Sequence, residues 1–201
     1  MARLSEPARV TTGKRLALAL VRRWYGKDLE PMLVGAHHRG VFWSTAIAEG
    51  LLLRSRTRLP AELRDLVTHR VATLVGCPWC IDFGAMVALR AGLTPQRLLA
   101  VDRYATSPLF DDTERLALAF ADAATATPPT VTDEQVATLR AVLGDAGVVE
   151  LAHLVALENQ RSRLNHALGI TAQGYTDLTT CPLPQLTAAR ATGAPAEDPR
   201  R

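Results

Sequence analysis

Leu63-Arg64-Asp65-Leu66-Val67-Thr68-His69-Arg70-Val71-Ala72-Thr73-Leu74-Val75-Gly76-Cys77-Pro78-Trp79-Cys80 holds both the period that decides the fold class and the groups that bound the chemistry. Leu63, Leu66, Val67, Val71, Leu74 and Val75 recur at three- and four-residue steps, which predicts a helix opened by Pro60 with one apolar stripe. Gly76 stops that helix. Cys77 then caps a new one, with Pro78 at the first helical position, where its missing N–H costs nothing. Cys80 falls one turn further in, close enough to Cys77 for a disulfide.

A helix N-terminus exposes unpaired N–H groups and the positive end of the dipole, so it favours thiolate over thiol and lowers a cysteine pKa. Asp82, two residues past Cys80, acts in the opposite sense. A Cys-x-x-Cys in a chain with only three cysteines points to redox use, with zinc binding and idle buried thiols as the alternatives. Zinc is the weaker of these: Cys77, Cys80 and one histidine supply three ligands, and no second Cys-x-x-Cys completes the set. No metal and no cofactor is assigned. Cys181, in a Pro-rich tail, is read as a free odd thiol.

Opposite the apolar stripe, Asp65, His69 and Ala72 line up, so that a carboxylate and an imidazole can touch across one turn. The plain alternative is a solvated surface pair. Arg70, at the stripe's edge, needs a partner.

Outward from this segment the helical pattern continues. Helices are predicted over 14–25, ended by Gly26, and over 38–53, apolar on most sides. Further helices follow over 78–91, 95–101, 112–124, 132–143 and 147–168, with Asp111 or Asp112 capping one and Thr132 with Gln135 forming a capping box. The last is apolar all round from Val148 to Leu157, which marks it as central. It then turns polar through Glu158, Asn159, Arg161, Ser162, Arg163, Asn165 and His166, where an ion-pair network of Glu158 with Arg70 or Arg161 is the expectation. No stretch alternates with period two for long enough to make a sheet, so the fold class is all-α, a single multihelical bundle of about eight helices.

The 201 residues suffice for one well-buried domain. Hydrophobic residues at 48% and charged residues at 21% exclude a disordered chain, and no apolar run reaches the roughly 18 residues of a membrane span. A net charge of +3 with dispersed arginines argues against a nucleic-acid partner. The basic N-terminal segment (Arg3, Arg9, Lys14, Arg15, Arg22, Arg23) reads as an ordinary first helix rather than a targeting peptide, because it has no cleavage signature. Sparse cysteine fits a reducing cytoplasm.

Arg64-Asp65-Leu66-Val67, Gly76-Cys77-Pro78-Trp79-Cys80-Ile81-Asp82-Phe83-Gly84, Ala91-Gly92-Leu93, Glu114-Arg115-Leu116-Ala117-Leu118-Ala119 and Ala156-Leu157-Glu158-Asn159-Gln160-Arg161-Ser162-Arg163-Leu164-Asn165 together resemble the carboxymuconolactone decarboxylase and alkylhydroperoxidase D-like superfamily. The resemblance spans roughly 37–170. It leaves 1–36 as an N-terminal helix and linker and 171–201 as a Pro-rich arm or tail. It implies a helical bundle that assembles into homo-oligomers, commonly trimers or hexamers. In the peroxidase branch it also implies Cys80 as the thiol that attacks a hydroperoxide and Cys77 as its resolving partner, with an external thiol as reductant. This sequence departs from that branch at three places: Gly84 and Trp79 stand where histidines are found, and Asp65 where a glutamate is found. His69 is the expected replacement base, supported by Asp65. Trp79 either shields the sulfurs or shapes an apolar pocket. The alternatives are the lactone-acid decarboxylase or isomerase branch, drawing on His37, His38, His153, His166, Arg70 or Arg163, and a non-catalytic oligomer whose Cys-x-x-Cys senses redox state.

Overall fold

The computed structural model describes residues 2–52, 54, 55 and 57–176, and among these there is no strand. Eight helices follow one another: α1 (Thr12–Tyr25), α2 (Glu30–Gly35), α3 (Arg39–Leu52), α4 (Ala61–Val75), α5 (Pro78–Arg90), α6 (Pro95–Ala100), α7 (Asp112–Thr125) and α8 (Asp133–Ala167), with a 3-10 turn at Val101–Arg103 after α6. The all-α class is therefore correct. Cys181 and the rest of the expected C-terminal arm beyond Thr176 lie outside the described residues, as does Leu53 at the end of the predicted second helix. No described helix is long and apolar enough to cross a membrane.

The described chain divides after Thr57 into two units, with Ala167–Thr171 returning to the first. In that first unit Leu18, Ala36 and Phe42 form a small core, flanked by Ala17, Met32, Leu33 and Trp43. Lys14, one of the cations of the basic N-terminal segment, is buried. Its Nζ donates to the carbonyl of Ala36 at 2.6 Å and lies 5.5 Å from the Phe42 ring centroid. Those two contacts offset the desolvation of the ammonium. The short helix α2 was not anticipated; it starts at Glu30 with Pro31 in its first turn.

The second unit is built around α4, which packs against both α5 and α7. Leu63, Leu66, Val67, His69, Val71, Ala72 and Thr73 are all buried, so the helix is enclosed on more than one side and the single stripe expected from its sequence is too narrow. Leu74, assigned to that stripe, is 40% exposed. Gly76 ends α4 at φ 73, and its N–H reaches back to the carbonyls of Ala72 and Thr73. Asp111 caps α7 in a reciprocal capping box with Glu114, and Thr132 and Gln135 exchange the same pair of bonds at the start of α8. Gly144, at φ 70, breaks α8 at the place where two separate helices were predicted. Beyond the break only one face is covered: Gly147, Leu151, Val155, Glu158, Ser162 and Asn165 are buried, while Val149 is 69% exposed. The expectation of a helix buried all round is thus corrected.

Arg70 finds its partners away from Glu158. Its guanidinium holds Asp122 through Nε at 2.7 Å and Nη2 at 3.0 Å, and Asp102 through Nη1 at 2.6 Å, while Tyr104 donates to Asp122 at 3.0 Å. The planar fork suits this two-point contact, and it ties α4 to α7 and to the turn after α6. Replacing Arg70 by Ala is expected to lower unfolding free energy by roughly 1.5–3 kcal/mol, the range for hydrogen bonds to charged groups. Urea titration would read this as an earlier midpoint, and an unchanged midpoint would contradict it.

Candidate active site: a buried dithiol under a polar helix face

Cys77 takes the N-cap position of α5 with Pro78 at N1, and its Sγ accepts the backbone N–H of Cys80 at 3.2 Å. Thiolate character is thereby favoured on Cys77 by a real donor as well as by the helix dipole. Both sulfurs are free thiols, and both are buried: Cys77 is 0% exposed and Cys80 5%. The single-turn spacing read from the sequence therefore does bring the two cysteines together.

The side chains that meet them come from α8. Asn165 Nδ2 donates to Cys80 Sγ at 3.3 Å, Ser162 Oγ donates to Glu158 Oε1 at 2.8 Å, and Arg161 Nη1 reaches Glu158 Oε2 at 3.3 Å. Glu158 and the Cys80 thiol act on each other electrostatically, and the face that carries Glu158 is the one that brings Asn165 to that sulfur. Steps of four and three residues put Glu158, Ser162 and Asn165 on one helical face. The expected Glu158–Arg161 pair exists, but the face it belongs to also closes over the dithiol. A glutamate, a serine and an asparagine at this spacing on the buried side of an apolar helix was the sequence signal that could have revealed it.

The proton distribution follows from these contacts. The Cys80 thiol donates toward Cys77, which pulls the Cys77 pKa below its ordinary value, although burial acts against this. Cys80 is pushed upward, first because it is the donor to Cys77, then by burial and by the negative charge of Glu158. Burial also raises the Glu158 carboxyl above the usual range, with Arg161 and its hydrogen bonds opposing.

Asp82 does not oppose the thiolate as expected. Its buried carboxylate accepts the N–H groups of Gln173 at 2.9 Å, Tyr175 at 3.0 Å and Thr176 at 2.8 Å, and the Thr176 hydroxyl at 3.0 Å. It thereby straps residues 173–176 onto α5. Trp79 belongs to the same anchor: its indole N–H donates to Gln173 Oε1 at 2.7 Å, it stacks on Phe83 with centroids 4.6 Å apart, and Phe83 meets Tyr175 edge-on at 5.4 Å.

His69 and Asp65 occupy α4. His69 is 2% exposed, so the surface alternative is corrected, and burial lowers its pKa to about 4, which leaves it neutral near pH 7. Asp65 is half-buried, and burial raises its pKa while Arg64 lowers it. The shifts of the two thiols are attributed to each other, to burial and to Glu158, Ser162 and Asn165. The imidazoles of the lactone alternative, on His37, His38, His153 and His166, are all exposed. Arg163 is tied to Asn159 and to the carbonyl of Thr125.

A bundle of helices with a Cys-x-x-Cys pair at one helix start, roofed by a polar face of another helix, defines a class of dithiol-bearing helical protein. The chain belongs to the carboxymuconolactone decarboxylase family, whose sequence profile matches residues 42–123. The uncharacterized protein YnjA of Escherichia coli K12 is 40% identical over 156 residues, which cover 77% of this chain and 85% of YnjA. Among solved structures, peroxidase-related proteins from Silicibacter sp. TM1040 and from Ralstonia eutropha JMP134, the latter described as an alkylhydroperoxidase AhpD core, superpose with TM-scores of 0.77 and 0.76. They share 15% and 18% identity and cover 86% of this chain, and 92% and 93% of their own lengths. The debrominase Bmp8 superposes with a TM-score of 0.74 at 18% identity, over 86% of this chain and 94% of Bmp8. At such identities the likeness is one of fold.

Two expected outcomes follow from the buried ionisable groups. His69 stays neutral in the folded protein down to about pH 4, whereas the unfolded chain takes up its proton near pH 6.5. The unfolded state therefore binds more protons in that window, and stability falls as pH drops through it by roughly 3 kcal/mol in all. Urea midpoints measured from pH 7 to pH 4 should decline less steeply in His69→Gln than in wild type, and parallel slopes would refute the assignment. For the strap, Asp82→Ala should speed hydrogen exchange at the amides of Gln173, Tyr175 and Thr176 and cost about 1–3 kcal/mol. Wild-type exchange at those amides would show that the aromatic contacts suffice.

Proposed function

We propose that this protein is a dithiol oxidoreductase that reduces small hydroperoxides, or disulfides, through Cys80 and Cys77. The carrying observation is the buried pair at the start of α5, with two free thiols linked by the Cys80 N–H bond to Cys77 Sγ and roofed by Asn165. Cys80, the less buried of the two, is the sulfur that meets substrate. Cys77 lies one turn away to condense with the sulfenic acid formed there. Structural likeness to peroxidase-related proteins supports the reading. The reducing equivalents come from an external thiol. The chain works in the cytoplasm as a homo-oligomer, a trimer or hexamer, and needs no cofactor.

His69, with Asp65 one turn before it, is proposed as a further proton carrier. It is neutral near pH 7, the form that accepts a proton, and burial weakens it as a base.

The direct measurement is thiol titration before and after one equivalent of hydroperoxide. Two thiols should vanish together in wild type, an unreactive pair would end the proposal, and Cys80→Ser should abolish turnover. Cys77→Ser should stall at a sulfenic acid that dimedone traps. If His69→Ala turns over peroxide at the wild-type rate, the histidine is not a carrier.

A further inference from the structure

Glu158 is 3% exposed, on the covered face of α8 that begins with the apolar Leu151 and Val155. Keeping a carboxylate there costs several kcal/mol unless its lone pairs are met. They are met on two sides, by the Ser162 hydroxyl at 2.8 Å and the Arg161 guanidinium at 3.3 Å. Two turns further along the same buried face Asn165 Nδ2 meets Cys80 Sγ at 3.3 Å, and the Cys80 thiol is among the groups that act on the Glu158 carboxyl. Packing alone gives no reason for a charged group at this point, since the two preceding turns of the same face are aliphatic. A buried carboxyl held in one orientation against a reactive sulfur is the arrangement of an acid–base pair.

Cys80 needs such a partner. It is the sulfur nearer to solvent, its ionisation is opposed by its bond to Cys77, by burial and by the negative charge of Glu158, and Asn165 Nδ2 meets the sulfur at 3.3 Å. The titratable and charged groups that face Glu158 are Cys80 and Cys77 from α5 and Arg161 from its own helix. Asp82 is committed to the strap.

We propose that Glu158 is the catalytic base for Cys80, and that it returns the proton to the leaving oxygen of the hydroperoxide. The inference rests on the dithiol reading above. The Cys80 S–H bond breaks as its proton passes to the Glu158 carboxylate, and the sulfur electron pair attacks the terminal oxygen of the hydroperoxide. The O–O bond breaks, the departing alkoxide takes the proton from Glu158, and the products are an alcohol and Cys80 sulfenic acid. Cys77 then attacks the Cys80 sulfur and expels hydroxide, which leaves as water with the Cys77 proton. An external dithiol reduces the resulting disulfide and is itself oxidised by two electrons.

Single-turnover oxidation by tert-butyl hydroperoxide, read by thiol counting in quenched flow, should be at least about 10²-fold slower in Glu158→Gln than in wild type near neutral pH. The gap should narrow as pH rises and hydroxide takes over the proton. Glu158→Asp, which keeps a carboxyl with a shorter reach, should fall between the two, and it decides the matter if Glu158→Gln does not fold. Wild-type oxidation rates in a folded variant would overturn the proposal. A second measurement needs no peroxide: iodoacetamide labelling of Cys80, followed by mass spectrometry across pH, should show a carboxyl-dependent inflection in wild type that Glu158→Gln lacks. Should wild type keep both thiols in hydroperoxide, the peroxidase reading falls, and the labelling profile still decides for or against Glu158 as the base. Identical labelling profiles in the two proteins would count against it.

Discussion

Everything at the site depends on the reversal of the chain at Gly76. With φ at 73 it adopts the left-handed conformation that closes α4, and the next residue already caps α5. No residue separates the end of one helix from the cap of the other, so Cys77 has no freedom to leave the junction. The backbone N–H of Cys80 is fixed against its sulfur for the same reason. A side chain at position 76 would carry the usual cost of about 1–2 kcal/mol for left-handed backbone, and any relaxation would shift both thiols together.

The remaining structure holds that junction from three directions. The α4 helix is buried on more than one side, packing on α5 and α7, and Arg70 ties it to Asp122 and Asp102. On another side, Asp82 and Trp79 hold residues 173–176 against α5. The polar face of α8 supplies the third. Both thiols are buried beneath these elements, and one carboxylate and one indole take part in holding the strap.

Local signals carried much of this. The end of α4, the Pro78 start of α5, an aspartate cap on α7, the Thr132–Gln135 capping box and the break near Gly144 were legible because each rests on chemistry within a few residues. Burial was less so. Periodicity gave α4 one stripe, but a helix packed by neighbours on more than one side hides residues such as His69 that fall outside any stripe. The same logic failed in the other direction for α8, whose apolar run includes Val149, exposed in the single chain. Lys14 was missed because a buried ammonium is stabilised by contacts distant in sequence, and α2 because six residues are too few to show a helical period.

The instructive error concerns which carboxylate opposes the thiolate. Sequence proximity selected Asp82, and tertiary structure selected Glu158, 78 residues after Cys80 along the chain. The helix N-terminus contributes about 0.3–1 kcal/mol toward a thiolate, up to about 2 in partly buried sites. The negative charge of Glu158 acts against a Cys80 thiolate, and two like unit charges about 4 Å apart repel by roughly 4 kcal/mol at an effective dielectric near 20. The second term is the larger, so Cys80 cannot be charged while Glu158 is. One negative charge, not two, is what the sulfur and the carboxyl can share, with Arg161 as its counter-ion. A CxxC at a helix start is therefore insufficient to make its second cysteine a thiolate; the residue that the opposite helix lays over it decides where the proton rests, and in this protein that residue holds it on Cys80 until it can take it.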